Sequence, residues 1–148
     1  MKRHLFSRLF TKNDEIFCMA KLLPKKSDLN TILYLDDAAT YKNSGHWKRI
    51  KFQHDKDIVD PRNWCPMDFE GNVRNNKGKY NIKISLDEIK RISNFVRNNI
   101  YALNALCDVM NFDLNDFISV MIPDGNIASE EAKLKQKEAV DEILKEIV

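Results

Sequence analysis

Glycine, proline and cysteine are scarce in this sequence. Its 148 residues include only four glycines, four prolines and three cysteines. So little glycine and proline excludes collagen-like, linker-like and low-complexity segments, and the chain contains no internal repeat. Cys18, Cys65 and Cys107 are odd in number, lie far apart and form no C-x-x-C pair. This pattern argues against a disulfide framework and against a zinc site.

Long hydrophobic runs are also missing. No stretch approaches the roughly 18 apolar residues that a membrane span requires. The N-terminus, "MKRHLFSRLF", begins with charge as a signal peptide does, but Arg8 and Lys12 interrupt its apolar part and no run of small residues follows. We therefore expect this segment to belong to the mature fold of a cytoplasmic protein. The 43% hydrophobic and 31% charged residues predict a single globular domain over residues 1–148.

The motifs of common enzyme families are absent as well. The sequence has no G-x-G-x-x-G loop, no Walker loop, no G-x-S-x-G elbow and no H-E-x-x-H zinc motif. His46 and His54, eight residues apart, would lie about 26 Å from each other on a regular strand, too far to bind one metal ion. Cys65 follows His54 closely enough to suggest a Cys–His nucleophile, but nothing in the sequence sets their geometry. We therefore expect no catalytic residue, no metal and no cofactor, and the sequence gives no positive reason to predict an enzyme.

One pair of carboxylates keeps an enzymatic alternative open. Asp36 and Asp37 follow the apolar stretch "TILYL", and strand ends are where hydrolases place metal-binding carboxylates. Because adjacent strand residues point to opposite faces, this pair would need help from Asp55, Asp57 or Asp60. A polar turn is the favoured interpretation, and a metal-dependent hydrolase is the third hypothesis for function.

The period of the apolar pattern changes at Ser85. Before it, five short segments have the composition or the alternation of strands. They are "EIFCMAKLL", "TILYLDD", residues 46–54, "WCPMDFE" near a sheet edge, and "KYNIKIS". After it, the S-x-x-E capping box of Ser85 and Glu88 starts an amphipathic helix of about 25 residues. A short helix around residues 114–122, with Asp113 as its N-cap, and a last helix capped by Ser129 follow.

Strands followed by helices predict an α+β fold. An N-terminal antiparallel sheet of about four to five short strands would be covered by the long amphipathic helix and two shorter C-terminal helices. On the long helix, Asn99 continues the three-to-four spacing of Ile92 and Val96. A solvated position at the rim of the buried stripe is the favoured interpretation, and a buried Asn99, which would need hydrogen-bond partners and could fix helix register, is the alternative.

Charge is divided unevenly along the chain. Residues 1–84 hold 17 basic and 10 acidic side chains, a net charge of +7, whereas residues 85–148 hold 7 basic and 12 acidic ones, a net charge of −5. The whole chain is therefore close to neutral, at +2. The favoured interpretation is that the two halves attract each other, and a basic surface for an anionic partner is the alternative.

The stretch "SGHWKRIKFQHDK" combines aromatic and basic residues on one predicted strand. Alternation sends Ile50 and Phe52 to one face, towards the core. The opposite face carries four side chains: Trp47, Arg49, Lys51 and Gln53. An indole beside two cations can stack on a base and neutralise phosphates, which makes these four the candidate nucleic-acid-binding residues. A half-buried strand with a polar outer face is the favoured interpretation, since no RNA-recognition or oligonucleotide-binding signature accompanies it.

The leading hypothesis for function is a non-enzymatic binding module whose partner is another protein or further copies of itself. The long amphipathic helix and the oppositely charged halves favour it, and the mostly solvated residues 130–138 are a candidate docking segment. Abundant Asn, Lys and Ile, which have AT-rich codons, suggest a low-GC bacterium or one of its phages. An accessory or structural protein of the host cytoplasm or the virion belongs to this class. A nucleic-acid-binding protein is the alternative, and no membrane partner is expected.

Overall fold

The computed structural model of the chain describes residues 19–55 and 64–147. The strands in these ranges are β1 (Ala20–Leu22), β2 (Leu33–Leu35), β3 (Arg49–Phe52) and β4 (Cys65–Asp68). They form one antiparallel sheet in this order, and helices follow it, so the predicted α+β fold is confirmed. His4, Cys18, Asp57, Asp60 and the charged N-terminus lie outside the described residues.

Cross-strand pairing places the apolar residues of the sheet on one face. Two rows cross all four strands on this inner face: Leu22, Leu33, Phe52 and Cys65 in one, and Ala20, Leu35, Ile50 and Met67 in the other. They pack with the helices in one hydrophobic core. Ile50 and Phe52 are both buried there, as strand alternation predicts. Burying a side chain of this size stabilises a fold by about 1.5–3 kcal/mol.

The edge strand β4 contains a proline, as the sequence predicts for a strand near a sheet edge. Pro66 has no backbone N–H, and its carbonyl accepts a hydrogen bond from Arg74 N at 2.9 Å. Asp68 N donates to Asn72 O at 3.0 Å. The chain after β4 therefore turns and runs back along this strand.

Residues 80–84 do not form the predicted fifth strand. Asn75 closes a turn before them, because its side-chain oxygen accepts from Tyr80 N at 2.7 Å and its amide donates to Tyr80 O at 2.9 Å. The segment then runs as irregular chain beside the end of β3, where Lys83 N donates to His54 O at 3.1 Å. The prediction was wrong because the alternating apolar residues pack against the core from a loop, without a strand as partner.

Six α-helices lie in the described residues. Two are short: α1 (Pro24–Ser27) and α2 (Ala38–Ser44). The other four belong to the C-terminal half: α3 (Leu86–Asn98), α4 (Ile100–Asp108), α5 (Leu114–Val120) and α6 (Glu130–Ile147). Ser85 caps α3 and Asp113 caps α5, while Ser129 Oγ accepts from Ala132 N at the start of α6, as predicted. None of these helices is long and apolar enough to cross a membrane.

The predicted long helix is broken at Asn99, which separates α3 from α4. Its side chain is fully buried and does not lie at the solvated rim. The amide oxygen accepts from Ile122 N and from Gln136 Nε2, both at 2.7 Å. The amide nitrogen donates to Phe95 O at 2.9 Å and to Ile122 O at 3.0 Å. The rim prediction was wrong because Phe95 of α3 and partners from distant parts of the chain together satisfy all the hydrogen-bonding capacity of this amide.

The loop between α5 and α6 is fastened to α3. Asn98 Nδ2 donates to Asn126 O at 2.6 Å, and Asn98 Oδ1 accepts from Ala128 N at 3.1 Å. Gly125 lies so close to α3 that a Cβ atom there would be 2.5 Å from the carbonyl oxygen of Arg91. Only glycine allows this approach of one backbone to another. The loop is thus held against α3 near the break at the end of that helix.

Candidate functional site

Trp47 lies just before β3 and is the exposed aromatic residue of the predicted basic strand. It is 45% exposed. The guanidinium carbons of Arg49 and Arg74 lie 5.6 Å and 5.7 Å from the centre of its ring. At this range a cation interacts favourably with an indole. We call Trp47, Arg49 and Arg74 the Trp47 surface.

Arg74 comes from the chain that runs back along β4 and was not among the residues predicted from the sequence. Its Nε donates to Asp68 Oδ2 at 2.8 Å, and Asp68 is the cross-strand partner of Arg49. Burial acts to raise the pKa of Asp68, but hydrogen bonds from Asn72 N and the Arg74 side chain hold it below its ordinary value. The signal that could have identified Arg74 is the turn at Gly71, which reverses the chain after β4.

Lys51, predicted as a surface cation, is buried. It is 6% exposed and lies between Tyr34 and Pro66 in a cross-strand row. This row lies on the outer face of the sheet, opposite the inner face. There, Tyr34 stacks on Trp64, with the ring centres 3.2 Å apart. Burial, assisted by the charge of Arg49, lowers the pKa of Lys51 to about 8. An ammonium group in this position is not presented to phosphates in solvent, which narrows the predicted nucleic-acid-binding face.

Gln53, the fourth predicted residue, lies beyond the end of β3. Its side-chain amide donates to Asp55 O at 3.2 Å, and its backbone N–H donates to Ile32 O at 3.2 Å. It is six positions from Trp47, which corresponds to about 20 Å along a strand. The structure therefore leaves Gln53 apart from the Trp47 surface.

The two histidines of the stretch lie in different places. His46 Nε2 is 3.4 Å from Asp36 Oδ2, and His46 Nδ1 is 2.7 Å from Trp47 O. Burial lowers the pKa of His46. His54 instead lines a cleft beyond the end of β3. Within residues 19–55 and 64–147, no group of three His, Cys, Asp or Glu side chains is placed to hold a metal ion.

Three residues considered for catalysis are a helix cap, a buried carboxylate and a buried thiol. Asp37 caps α2 by accepting from Thr40 N at 2.8 Å, and Asp36 is buried beside His46. Cys65 is buried in the inner face of the sheet, where burial raises its pKa to about 12. A thiol in this environment stays protonated at neutral pH and is a poor nucleophile.

The Trp47 surface offers groups that bind rather than groups that react. Its indole supplies a large amphipathic contact area, and its guanidiniums supply planar donors that match carboxylates and phosphates. The neighbouring Lys48 is paired with Asp108 of α4 at 2.7 Å, a direct contact between the basic and acidic halves of the chain. No protein-family model, curated protein or solved structure matches the chain.

Proposed function

We propose that the chain is a non-enzymatic binding module that holds an acidic protein partner through the Trp47 surface. The observation that carries this proposal is an exposed indole with the guanidiniums of Arg49 and Arg74 at 5.6 Å and 5.7 Å from its centre. Trp and Arg are among the residue types that most often dominate the binding energy of protein interfaces. Guanidiniums are weakly hydrated and pair with carboxylates through two parallel hydrogen bonds.

Two further features support an acidic partner. Residues 1–84, which include the Trp47 surface, carry a net charge of +7, and charge of this sign attracts an acidic protein during association. Arg74 is already held by Asp68, so it loses less side-chain freedom when a partner binds. The module would act in the cytoplasm, or in a virion if the chain is phage-encoded.

Nucleic acid is the second candidate partner. An aromatic ring among cations favours single-stranded nucleic acid, through stacking on bases and neutralisation of phosphates. Two observations place this candidate second. The guanidiniums of Arg49 and Arg74 lie over the indole, where a base would stack, and Lys51 is buried.

A displayed library of random peptides, selected on the wild-type protein and counter-selected on Trp47→Ala, tests the proposal. We expect enrichment of acidic peptides, and a loss of at least about 30-fold in their affinity for Trp47→Ala, which corresponds to a hot spot of about 2 kcal/mol. Ile127→Ala, which removes an exposed apolar side chain elsewhere, is the matched control and should bind as the wild type does. Peptides that bind folded Trp47→Ala as tightly as the wild type would contradict the proposal.

A fluorescence titration separates the two classes of partner. The chain has two tryptophans, so Trp64→Phe leaves Trp47 as the single tryptophan. We expect its emission to respond to a selected acidic peptide at physiological salt. A response only to a single-stranded oligonucleotide, falling steeply as salt rises, would support the nucleic-acid alternative instead. A dimer seen by light scattering and lost in Trp47→Ala would identify a second copy of the chain as the partner.

A further inference from the structure

A cleft separate from the Trp47 surface opens beside the start of α3. Its volume is about 410 Å³, within the range of small-molecule sites. The loop after α1, the chain after β3 and the residues that lead into α3 form its walls. Five of its seven polar lining residues bear on ligand binding: Thr31, His54, Asp55, Lys83 and Glu88. It lies beyond the end of β3, whereas Trp47 precedes the start of that strand.

Glu88 does not complete the capping box that its position predicts. Ser85 Oγ accepts from Glu88 N at 3.1 Å, but the Glu88 carboxylate turns to the loop after α1. Its Oε2 accepts from Asn30 N at 2.9 Å and from Thr31 Oγ1 at 2.7 Å. Its Oε1 makes no hydrogen bond within the described residues, and Arg91 Nη1 lies 3.6 Å away. Glu88 is only 7% exposed, so its Oε1 is a buried carboxylate oxygen that is ion-paired with Arg91 and makes no hydrogen bond within the described residues.

His54 is a second buried group with unused hydrogen-bonding capacity. It is 5% exposed, and neither ring nitrogen makes a hydrogen bond of acceptable geometry within the described residues. Tyr80 packs edge-on against the ring, with the centres 5.8 Å apart. Burial lowers the pKa of His54, although the Asn81 carbonyl and Asp55 act to raise it. The ring is therefore mostly neutral at neutral pH and has one N–H donor and one nitrogen acceptor.

The charges that line the cleft favour a cation. Asp55 and Glu88 supply two carboxylates, and Lys83 supplies one ammonium group, 3.0 Å from Asp55 Oδ2. With His54 neutral, these lining side chains carry a net charge of −1, and Arg91, which is not part of the lining, lies 3.6 Å from Glu88 Oε1. In the part of the chain that the structure describes, no three acidic, His or Cys side chains are grouped for a metal ion. An organic cation therefore suits this set of donors and acceptors better than a metal ion.

We propose that this cleft binds a small organic cation, in which a primary ammonium or guanidinium group has a neighbouring hydroxyl or amide. The cationic group donates to Glu88 Oε1, and the neighbouring polar group exchanges a hydrogen bond with His54. Each contact gives a hydrogen bond to a buried polar group that makes none at these atoms within the described residues. The site does not involve the Trp47 surface, so its failure would leave the proposed function untouched.

Agmatine, which has an ammonium group at one end and a guanidinium group at the other, is the probe, and pentanediol is its neutral control. Binding is measured from the NMR signals of isotope-labelled histidine rings, because His54 lines the cleft and His46 does not. We expect agmatine to shift the signals of His54 and to leave those of His46 unchanged. Equal shifts at both histidines, or equal binding of pentanediol, would overturn the proposal.

Two variants test the charges that the proposal uses. Glu88→Gln keeps an oxygen for the loop after α1 but removes the negative charge, so it should weaken agmatine binding at least about 10-fold. Lys83→Met removes the ammonium group that competes for Asp55, so it should tighten binding several-fold. Because Lys83 is exposed, this variant keeps the test decisive if Glu88→Gln does not fold. Glu138→Gln, an exposed acid on α6, is the control, and affinities equal to this control in both variants would show adventitious binding only.

Discussion

Both faces of the sheet contain buried side chains, yet the two faces differ in their chemistry. On the inner face, Phe52 and its cross-strand neighbours are apolar and pack with the helices. One residue earlier, on the outer face, Lys51 is buried next to Tyr34, which stacks on Trp64. Trp64 Nε1 is also buried and has no hydrogen-bond partner within the described residues. Burial alone therefore does not identify the stabilising core, since the outer face keeps polar groups from water at a cost in free energy.

The inner face should show the largest effect of a single substitution. Phe52→Ala is expected to lower the free energy of unfolding by about 3–5 kcal/mol, because it leaves a cavity among apolar side chains. Urea unfolding followed by circular dichroism measures this loss. Phe52→Leu is the matched control, and it should cost much less because it keeps most of the buried volume. If Phe52→Ala costs no more than Lys51→Met, the distinction between the two faces fails.

The helices that cover the inner face contain a buried polar network whose loss should have the next largest effect. Asn99→Ala removes the shorter of two hydrogen bonds of Gln136 Nε2 and the partner of both backbone groups of Ile122. It should lower the free energy of unfolding by about 3 kcal/mol, measured as above. Asn94→Ala, at a partly exposed position of α3, should change it by less than about 0.5 kcal/mol. Equal effects of the two substitutions would mean that water replaces the Asn99 amide.

The outer face should show a smaller effect that depends on pH. The pKa of Lys51 falls from 10.5 to about 8 in the fold, so the unfolded chain binds more protons between these two pH values. Stability therefore rises with pH through this window, by about 2 kcal/mol between pH 7 and pH 9.5 for this residue.

Urea unfolding of Lys51→Met at both pH values checks this expectation. The substitution removes the titrating group, so the gain of the wild type between the two pH values should disappear. Lys21→Met is the matched control, because Lys21 is exposed and occupies the same cross-strand row on β1. Stability curves with the same pH dependence in the wild type and Lys51→Met would show that the outer face does not exclude water from Lys51.

Sequence patterns predict those structural features that depend only on neighbouring residues, such as the face of a strand residue and the cap of a helix. Alternation along β3 places Ile50 and Phe52 in the core, because successive strand residues point to opposite faces. The caps at Asp113 and Ser129 are predictable for the same kind of reason, since a cap involves residues only three positions apart. The α+β order of strands and helices also follows from the change of period at Ser85.

The features that the sequence could not predict depend on contacts between residues far apart in the chain. The apolar spacing runs through Asn99 without interruption, and the partners of its side chain, Ile122 and Gln136, lie 23 and 37 positions away. Glu88 matches a capping box locally, but its carboxylate binds Thr31, which is 57 positions earlier in the chain. Neither contact leaves a periodic signal in the sequence.

The Trp47 surface also contains residues that the sequence could identify and one that it could not. Trp47 and Arg49 belong to one stretch and can be identified from it, whereas Arg74 reaches them only because the chain runs back along β4. Whether Lys51 is exposed depends on what lies over the outer face, where Tyr34 comes from another strand. Strand alternation gives the face of a residue but not its exposure to solvent.

The hydrogen bonds along β4 have a consequence for aggregation. The carbonyl of Pro66 is taken by Arg74 N and the N–H of Asp68 by Asn72 O, while Pro66 has no N–H to offer. A strand whose edge is occupied in this way is a poor template for a strand from another chain. These contacts protect the β4 edge against extension of the sheet by another copy of the protein. A contact made at this edge therefore relies on side chains rather than on backbone hydrogen bonds.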